Sequence, residues 1–202
     1  MKRLGVPEWW VESCRKIQYL FPKAHAVAYV MMAFRIAWFK VHRPIAFYSA
    51  YFYRRSQKGG FDAEMMCGGT EAVRRKINDM RRRQDLTANE EDLLVTLEAV
   101  YEFNMRGFSF APIDLYASDA KKFLPVGETQ LRPPFVAISG LGEAAAEDLG
   151  RCRESGQRFI SMAELGAACP KVSQSHLAEL KRLGALGDMP ESSQITLFDG
   201  LF

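Results

Sequence analysis

The sequence predicts a mainly α protein with two helical parts, a short irregular or β connector between them, and an extended C-terminal tail. Three observations predict this. Apolar residues recur at the helical period on both sides of residues 108–134, a stretch rich in Pro, Gly, Ser and aromatic residues. Two capping boxes, Thr87-Ala88-Asn89-Glu90 and Ser161-Met162-Ala163-Glu164, mark helix starts, one in each helical part. After Pro190 the chain continues through Glu-Ser-Ser, a composition that will not hold a packed fold.

The elements follow in order. Val11 to Tyr19 is a short amphipathic segment closed by Phe21-Pro22. Ala24 to Lys40 is apolar nearly all round, which predicts a buried central helix. Its apolar stretch falls short of the roughly 20 residues of a membrane span and carries His25 and Arg35. Pro44 suits the first position of the next helix, Pro44 to Arg55, which Gly59-Gly60 ends. Asp62 caps a helix predicted to run to about Arg83. Leu93, Leu94, Leu97, Val100 and Tyr101 share one face of the helix that Thr87 starts and Gly107 stops. In the connector, Phe108-Ser109-Phe110 and Phe123-Leu124-Pro125-Val126 read as short strands around a turn. Beyond it come helices from Ala144 to Ser155, from Ser161, and from Ser173 to Gly184.

Composition narrows the class. An apolar share of 48% and a charged share of 25% are ordinary for a chain that buries a core. The net charge of +3 is only mildly basic. Cys14, Cys67, Cys152 and Cys169 are far apart in sequence and form no C-x-x-C pair, so neither a zinc site nor a disulfide framework is expected. No apolar leader follows Met1-Lys2-Arg3, and a reducing cytoplasm is expected.

Ile138-Ser139-Gly140-Leu141-Gly142, followed by Ala146 and Leu149, matches a helix–hairpin–helix pattern. Two glycines allow a tight turn and close approach by another backbone. The first N–H groups of the following helix have no partner within it and, with the helix dipole, suit an anion such as a DNA phosphate. The expected DNA contacts are Ser139, Gly140, Leu141, Gly142, Glu143 and Ala144, with Arg151, Arg153 and Arg158 downstream. The bland reading is a loop entering a helix. Leu180-x-x-Leu183-Gly184-Ala185-Leu186 weighs against it, as a piece expected in the second half of a tandem hairpin module.

The tail carries Gln194-Ile195-Thr196-Leu197-Phe198, of the form Q-x-x-L-F. Leu197 and Phe198 suit an apolar pocket on a partner protein and Gln194 its rim. The alternative is that they fold back with Leu201 and Phe202 on their own domain. Arg74-Arg75-Lys76 and Arg81-Arg82-Arg83 fall on one helix face, either tracking phosphates or simply solvated.

At this point the residues resemble a family. Phe21-Pro22-Lys23-Ala24-His25-Ala26-Val27-Ala28-Tyr29 is similar to the F-x-K-x-H-A-x-A-Y segment of C-family bacterial replicative polymerases. Val6-Pro7-Glu8-Trp9, Gly107-Phe108-Ser109-Phe110 and Ile113-Asp114-Leu115-Tyr116 resemble the PolC type, the alpha subunit of DNA polymerase III. The hairpin and the Q-x-x-L-F ending come in the same order. The resemblance implies the C-terminal part of a fingers subdomain over 1–125, a duplex-binding domain over 126–190 and a tail over 191–202. It implies that Gln194, Leu197 and Phe198 bind the beta sliding clamp. It implies that Lys23 and His25 lie near the incoming nucleotide's triphosphate. No catalytic residue and no metal ligand is expected here, since the family's three palm aspartates and their magnesium lie upstream of the matched region. The implied partners are primer–template duplex, the clamp and the rest of the polymerase and replisome, with no membrane and a nucleoid-associated place in the cytoplasm. Two rivals stay open: a free-standing helix–hairpin–helix repair or recombination protein, and a membrane-associated helical protein built on residues 24–53.

Overall fold

The computed structural model describes residues 4–16, 22–57 and 59–192, and the chain divides into two compact units, 1–42 and 43–202.

The first unit holds α1 (Glu8–Lys16) and α2 (Lys23–His42). Val11 is the buried residue of α1, while α2 buries none of its residues. The helix over 24–40 therefore forms as expected, but the expectation that it is buried is overturned. Tyr29, Val30, Phe34, Ile36, Trp38 and Phe39 are each at least half exposed. An all-round apolar pattern says that a helix avoids water and does not say what covers it. With 20 residues and a mean hydropathy of 1.2, α2 is also long and apolar enough to cross a membrane, a test that core helices of soluble proteins pass as well.

The second unit begins with α3 (Pro44–Ser56), which has Pro44 at its start. Its ring-bearing face builds the core. Phe52 is fully buried, with ring centroids 5.4 Å from Phe61, 5.6 Å from Phe103, 5.4 Å from Phe110 and 5.7 Å from Phe123. Each such ring contributes roughly 1.5–3 kcal/mol by leaving water.

The helix predicted from Asp62 to Arg83 is two helices, α4 (Ala63–Met66) and α5 (Thr70–Arg82). Asp62 does cap the first, accepting the Met65 N–H at 2.9 Å. The break falls at Gly69, whose φ of 85° lies in the left-handed region that favours glycine.

α6 (Ala88–Met105) starts at the expected capping box. Thr87 Oγ1 accepts the Glu90 N–H at 3.3 Å and Glu90 accepts the Thr87 N–H at 2.9 Å. The Thr87 N–H and then Arg83 hold the Glu90 carboxyl down to about 2. A depressed carboxyl stabilises the fold above its unfolded value of about 4.3, and that share is lost as pH falls from there toward 2. Thr87→Ala is expected to cost about 1 kcal/mol. In thermal denaturation it should lower Tm by roughly 2–4 °C.

The connector is a folded frame. Its sheet has the order β1-β3-β2, with β1 (Ser109–Phe110), β2 (Leu124–Val126) and β3 (Gln130–Arg132). The two predicted strands are present but do not pair with each other. β3, which the sequence did not suggest, lies between them, parallel to β1 and antiparallel to β2. Further along, Phe135 N–H donates to Asp119 O at 2.9 Å and Leu115 N–H to Ala185 O at 2.9 Å. Tyr116 Oη accepts the Phe159 N–H at 3.0 Å. These bonds fix a 3₁₀ turn (Phe135–Ala137), α7 (Glu143–Ser155), α8 (Met162–Ala168) and α9 (Gln174–Arg182) on one continuous apolar core.

Candidate nucleic-acid interface

The hairpin predicted at 138–142 runs from the 3₁₀ turn into α7. Leu141 N–H donates to Ile138 O at 3.1 Å, closing a tight turn that Gly140 completes at φ +78°. Ile138, Leu141, Ala145, Ala146 and Leu149 are buried and hold the turn against the core. Gly142 caps α7 without a side chain, and Ala145 and Ala146 N–H both donate to Gly142 O. The N–H groups of Gly142, Glu143 and Ala144 find no acceptor among the described residues. They face the positive end of a 13-residue helix, where an anion is favoured. Ser139 to Glu143 also line a cleft of about 750 Å³ with Phe61, Asp62 and Lys121.

The electrostatics of this turn are balanced. Glu143 puts negative charge where a phosphate would sit. Lys121 answers it, pairing with Glu143 and, at 2.7 Å, with Glu147. Those two carboxylates raise the Lys121 ammonium above its usual range, Glu143 first.

A second hairpin joins α8 to α9 through Cys169–Ser173. Val172 N–H donates to Cys169 O at 2.9 Å, as Leu141 does to Ile138. Ser173 caps α9 with φ −78° and ψ 166°, close to the −66° and 163° of Gly142. Buried Cys169, Val172, Leu177 and Leu180 stand where Ile138, Leu141, Ala146 and Leu149 stand in the first hairpin. The N–H groups of Gln174 and Ser175 find no acceptor among the described residues. Lys171 is exposed in the turn.

Sequence reasoning missed this turn as a contact. It placed the second half's signal at Leu183-Gly184-Ala185-Leu186, which closes α9: Gly184 adopts φ +74° and Ala185 N–H returns to Leu180 O. The matching apolar spacing after Cys169 was the signal that could have found the turn. Cys152 and Cys169, distant in sequence, also meet, with sulfurs 2.7 Å apart and both buried. Burial, with the Cys152 thiol beside it, pushes the Cys169 thiol up to about 12.

The other candidates fall as follows. The downstream arginines are engaged within the fold: Arg151 pairs with Asp148, Arg153 with Asp119 at 3.4 Å, and Arg158 lies 4.0 Å over the Tyr116 ring. On α5, Arg74 pairs with Glu71 and Arg81 with Glu98, while Arg83, just past it, pairs with Glu90. Half of the two triplets is thus ion-paired within the fold, while Arg75, Lys76 and Arg82 are exposed with no ion pair among the described residues. Lys23 and His25 stand exposed in the first turn of α2, in the other unit from the hairpins. Gln194, Leu197 and Phe198 lie outside the described residues. Just before them the chain is fixed, since Pro190 O and Glu191 O accept the Met162 and Ala163 N–H groups at the start of α8.

Residues 107–195 match the helix–hairpin–helix motif family. A DNA polymerase III PolC-type from Thermotoga maritima is 48% identical over 198 residues, 98% of this chain. The protein of the same name from Streptococcus pneumoniae is 49% identical over the whole chain, and one from Streptococcus thermophilus 47%. The chain spans 14% of the length of these relatives. It is therefore a homologue, over nearly its whole length, of one segment of DNA polymerase III of the PolC type.

Proposed function

We propose that this chain is the duplex-gripping and clamp-tethering part of a bacterial replicative DNA polymerase. The observation that carries the reading is the pair of equivalent turns, each presenting unpaired N–H groups at a helix start. Such groups grip phosphates on the DNA backbone and read no sequence, as a replicative enzyme requires. Residues 126–190 hold the primer–template duplex behind the site of synthesis. Gln194, Leu197 and Phe198 dock on the beta sliding clamp. Residues 1–125 are the end of the fingers, with Lys23 and His25 near the triphosphate of the incoming nucleotide. Exposed α2 is covered by the rest of the polymerase, which places the protein at the nucleoid rather than in a membrane.

Nucleotidyl transfer belongs to a palm domain outside this chain, where magnesium would be held. Among the described residues no three His, Cys, Asp or Glu side chains converge on a metal position. The similarity to PolC-type DNA polymerase III over 98% of the chain favours the polymerase over a free-standing repair protein.

The test is the salt dependence of binding to duplexes of unrelated sequence. Binding is expected with equal affinity for all of them, and log K should fall against log salt with a slope of about 0.9 per phosphate engaged. Absence of duplex binding at low salt, or a strong preference for one sequence, would refute the reading.

A further inference from the structure

We propose that His176 is a positioning residue that sets the spacing between the two phosphate-binding turns, an inference that rests on the duplex-binding reading above. His176 belongs to α9, the second helix of the second hairpin, yet it reaches both turns. Its Nδ1 lies 3.2 Å from the Ser173 N–H and its Nε2 3.1 Å from Gly140 O. A backbone carbonyl can only accept, so Nε2 carries the proton. A backbone N–H can only donate, so Nδ1 is the bare nitrogen. The ring is therefore neutral, in a single tautomer, and its two ends join the cap of one hairpin to the glycine of the other. Gly140 offers its carbonyl in that direction because its backbone is left-handed at φ +78°.

The link is answered from the other side. Asp148, on α7 and 3% exposed, accepts the Lys171 N–H of the second turn at 2.9 Å through Oδ2. Each hairpin's second helix thus holds the other hairpin's turn. The Asp148 link is part-buried, and Asp148 itself is buried. The His176 link is exposed, and its partners Gly140 and Ser173 lie close in sequence to the two sets of unpaired N–H groups.

The spacing matters because duplex phosphates sit at fixed separations. Two turns held at the matching distance engage together, the second at high effective concentration once the first has bound. Freed to move, they bind as two weak sites. His176 touches no phosphate in this account; it acts through Gly140 and Ser173.

The test compares the purified chain with His176→Ala and His176→Gln on a labelled duplex over a salt series. His176→Ala is expected to bind about tenfold more weakly, with the log K–log salt slope reduced by roughly one to two contacts at about 0.9 each. His176→Gln, whose amide offers an acceptor oxygen and a donor NH₂ group without charge, is expected to recover both affinity and slope. A loss of stability alone would lower the folded fraction without changing the slope. If His176→Ala does not fold, His176→Asn carries the comparison, since it can cap Ser173 but is too short to reach Gly140. A folded Ala or Asn variant with parental affinity and slope overturns the inference, as does a folded Gln variant that recovers neither. A parent chain that does not bind duplex overturns the duplex reading itself and this inference with it.

Discussion

A chain carrying Leu197→Ala and Phe198→Ala is expected to lose binding to the beta sliding clamp by at least about 100-fold, with duplex binding unchanged. Short docking motifs concentrate their energy in a few apolar anchors, and each such anchor is worth roughly 2 kcal/mol or more on truncation. Gln194→Ala should cost less, about 1 kcal/mol, because a rim hydrogen bond is exchanged against water. The surrounding structure makes the separation of effects reasonable. Pro190 and Glu191 close the start of α8, and Lys181 pairs with Glu191 at 2.9 Å, so the chain is held in place up to Glu191. The motif begins just beyond it and is no part of either hairpin. Leu201 and Phe202 offer a second apolar pair. A third chain, the double variant ended at position 198, therefore belongs in the experiment. Surface plasmon resonance on immobilised clamp reads all three. Parental affinity in the double variant would refute the tail assignment if the same double variant ended at position 198, which lacks both apolar pairs, also binds as the parent does.

The elements most legible in the sequence are those whose signals are local. Pro44 marks a helix start because its fixed φ and missing N–H suit that position, and α3 begins there. Thr87 and Ser161 cap as their spacing to Glu90 and Glu164 requires. Ser139 to Gly142 form the predicted turn because glycine at position 140 makes the left-handed backbone cheap. What escaped the sequence depends on tertiary partners. β3 is three residues long and exists only because β1 and β2 flank it. Gly68-Gly69 was passed over because the apolar period resumes on α5, with Val73, Ile77 and Met80 buried. The covering of α2 cannot be read from α2 alone. The second turn was hidden because Cys169-Pro170-Lys171-Val172-Ser173 lacks the paired glycines that announce the first. Ser173 supplies a capping oxygen where Gly142 supplies open space, and only the buried pattern around them is shared.

That difference gives the sharpest test of the first hairpin. Gly140→Val and Gly142→Val are each expected to weaken duplex binding by tenfold or more, for separable reasons. Gly140 sits at φ +78°, where a β-branched residue is strained, so its variant should also lose about 1–3 kcal/mol of stability. Gly142 has φ −66°, which valine adopts freely, and a Cβ built there meets no atom within 4 Å. Its variant should fold with nearly the parental Tm, because the added methyl groups point into space that only a ligand would fill. Gly142→Ser is the control. Ser173 already holds the equivalent place in the second hairpin, and a serine hydroxyl can cap α7 as that one caps α9. The serine variant is expected to keep duplex affinity within about threefold, a difference of under 1 kcal/mol. Loss in valine with retention in serine would show that bulk at position 142 meets the DNA backbone. If Gly142→Val instead binds duplex as tightly as the parent while folding normally, the phosphate does not approach this turn. The grip would then rest on the Lys171–Ser175 turn alone, and the first hairpin would serve only to brace it.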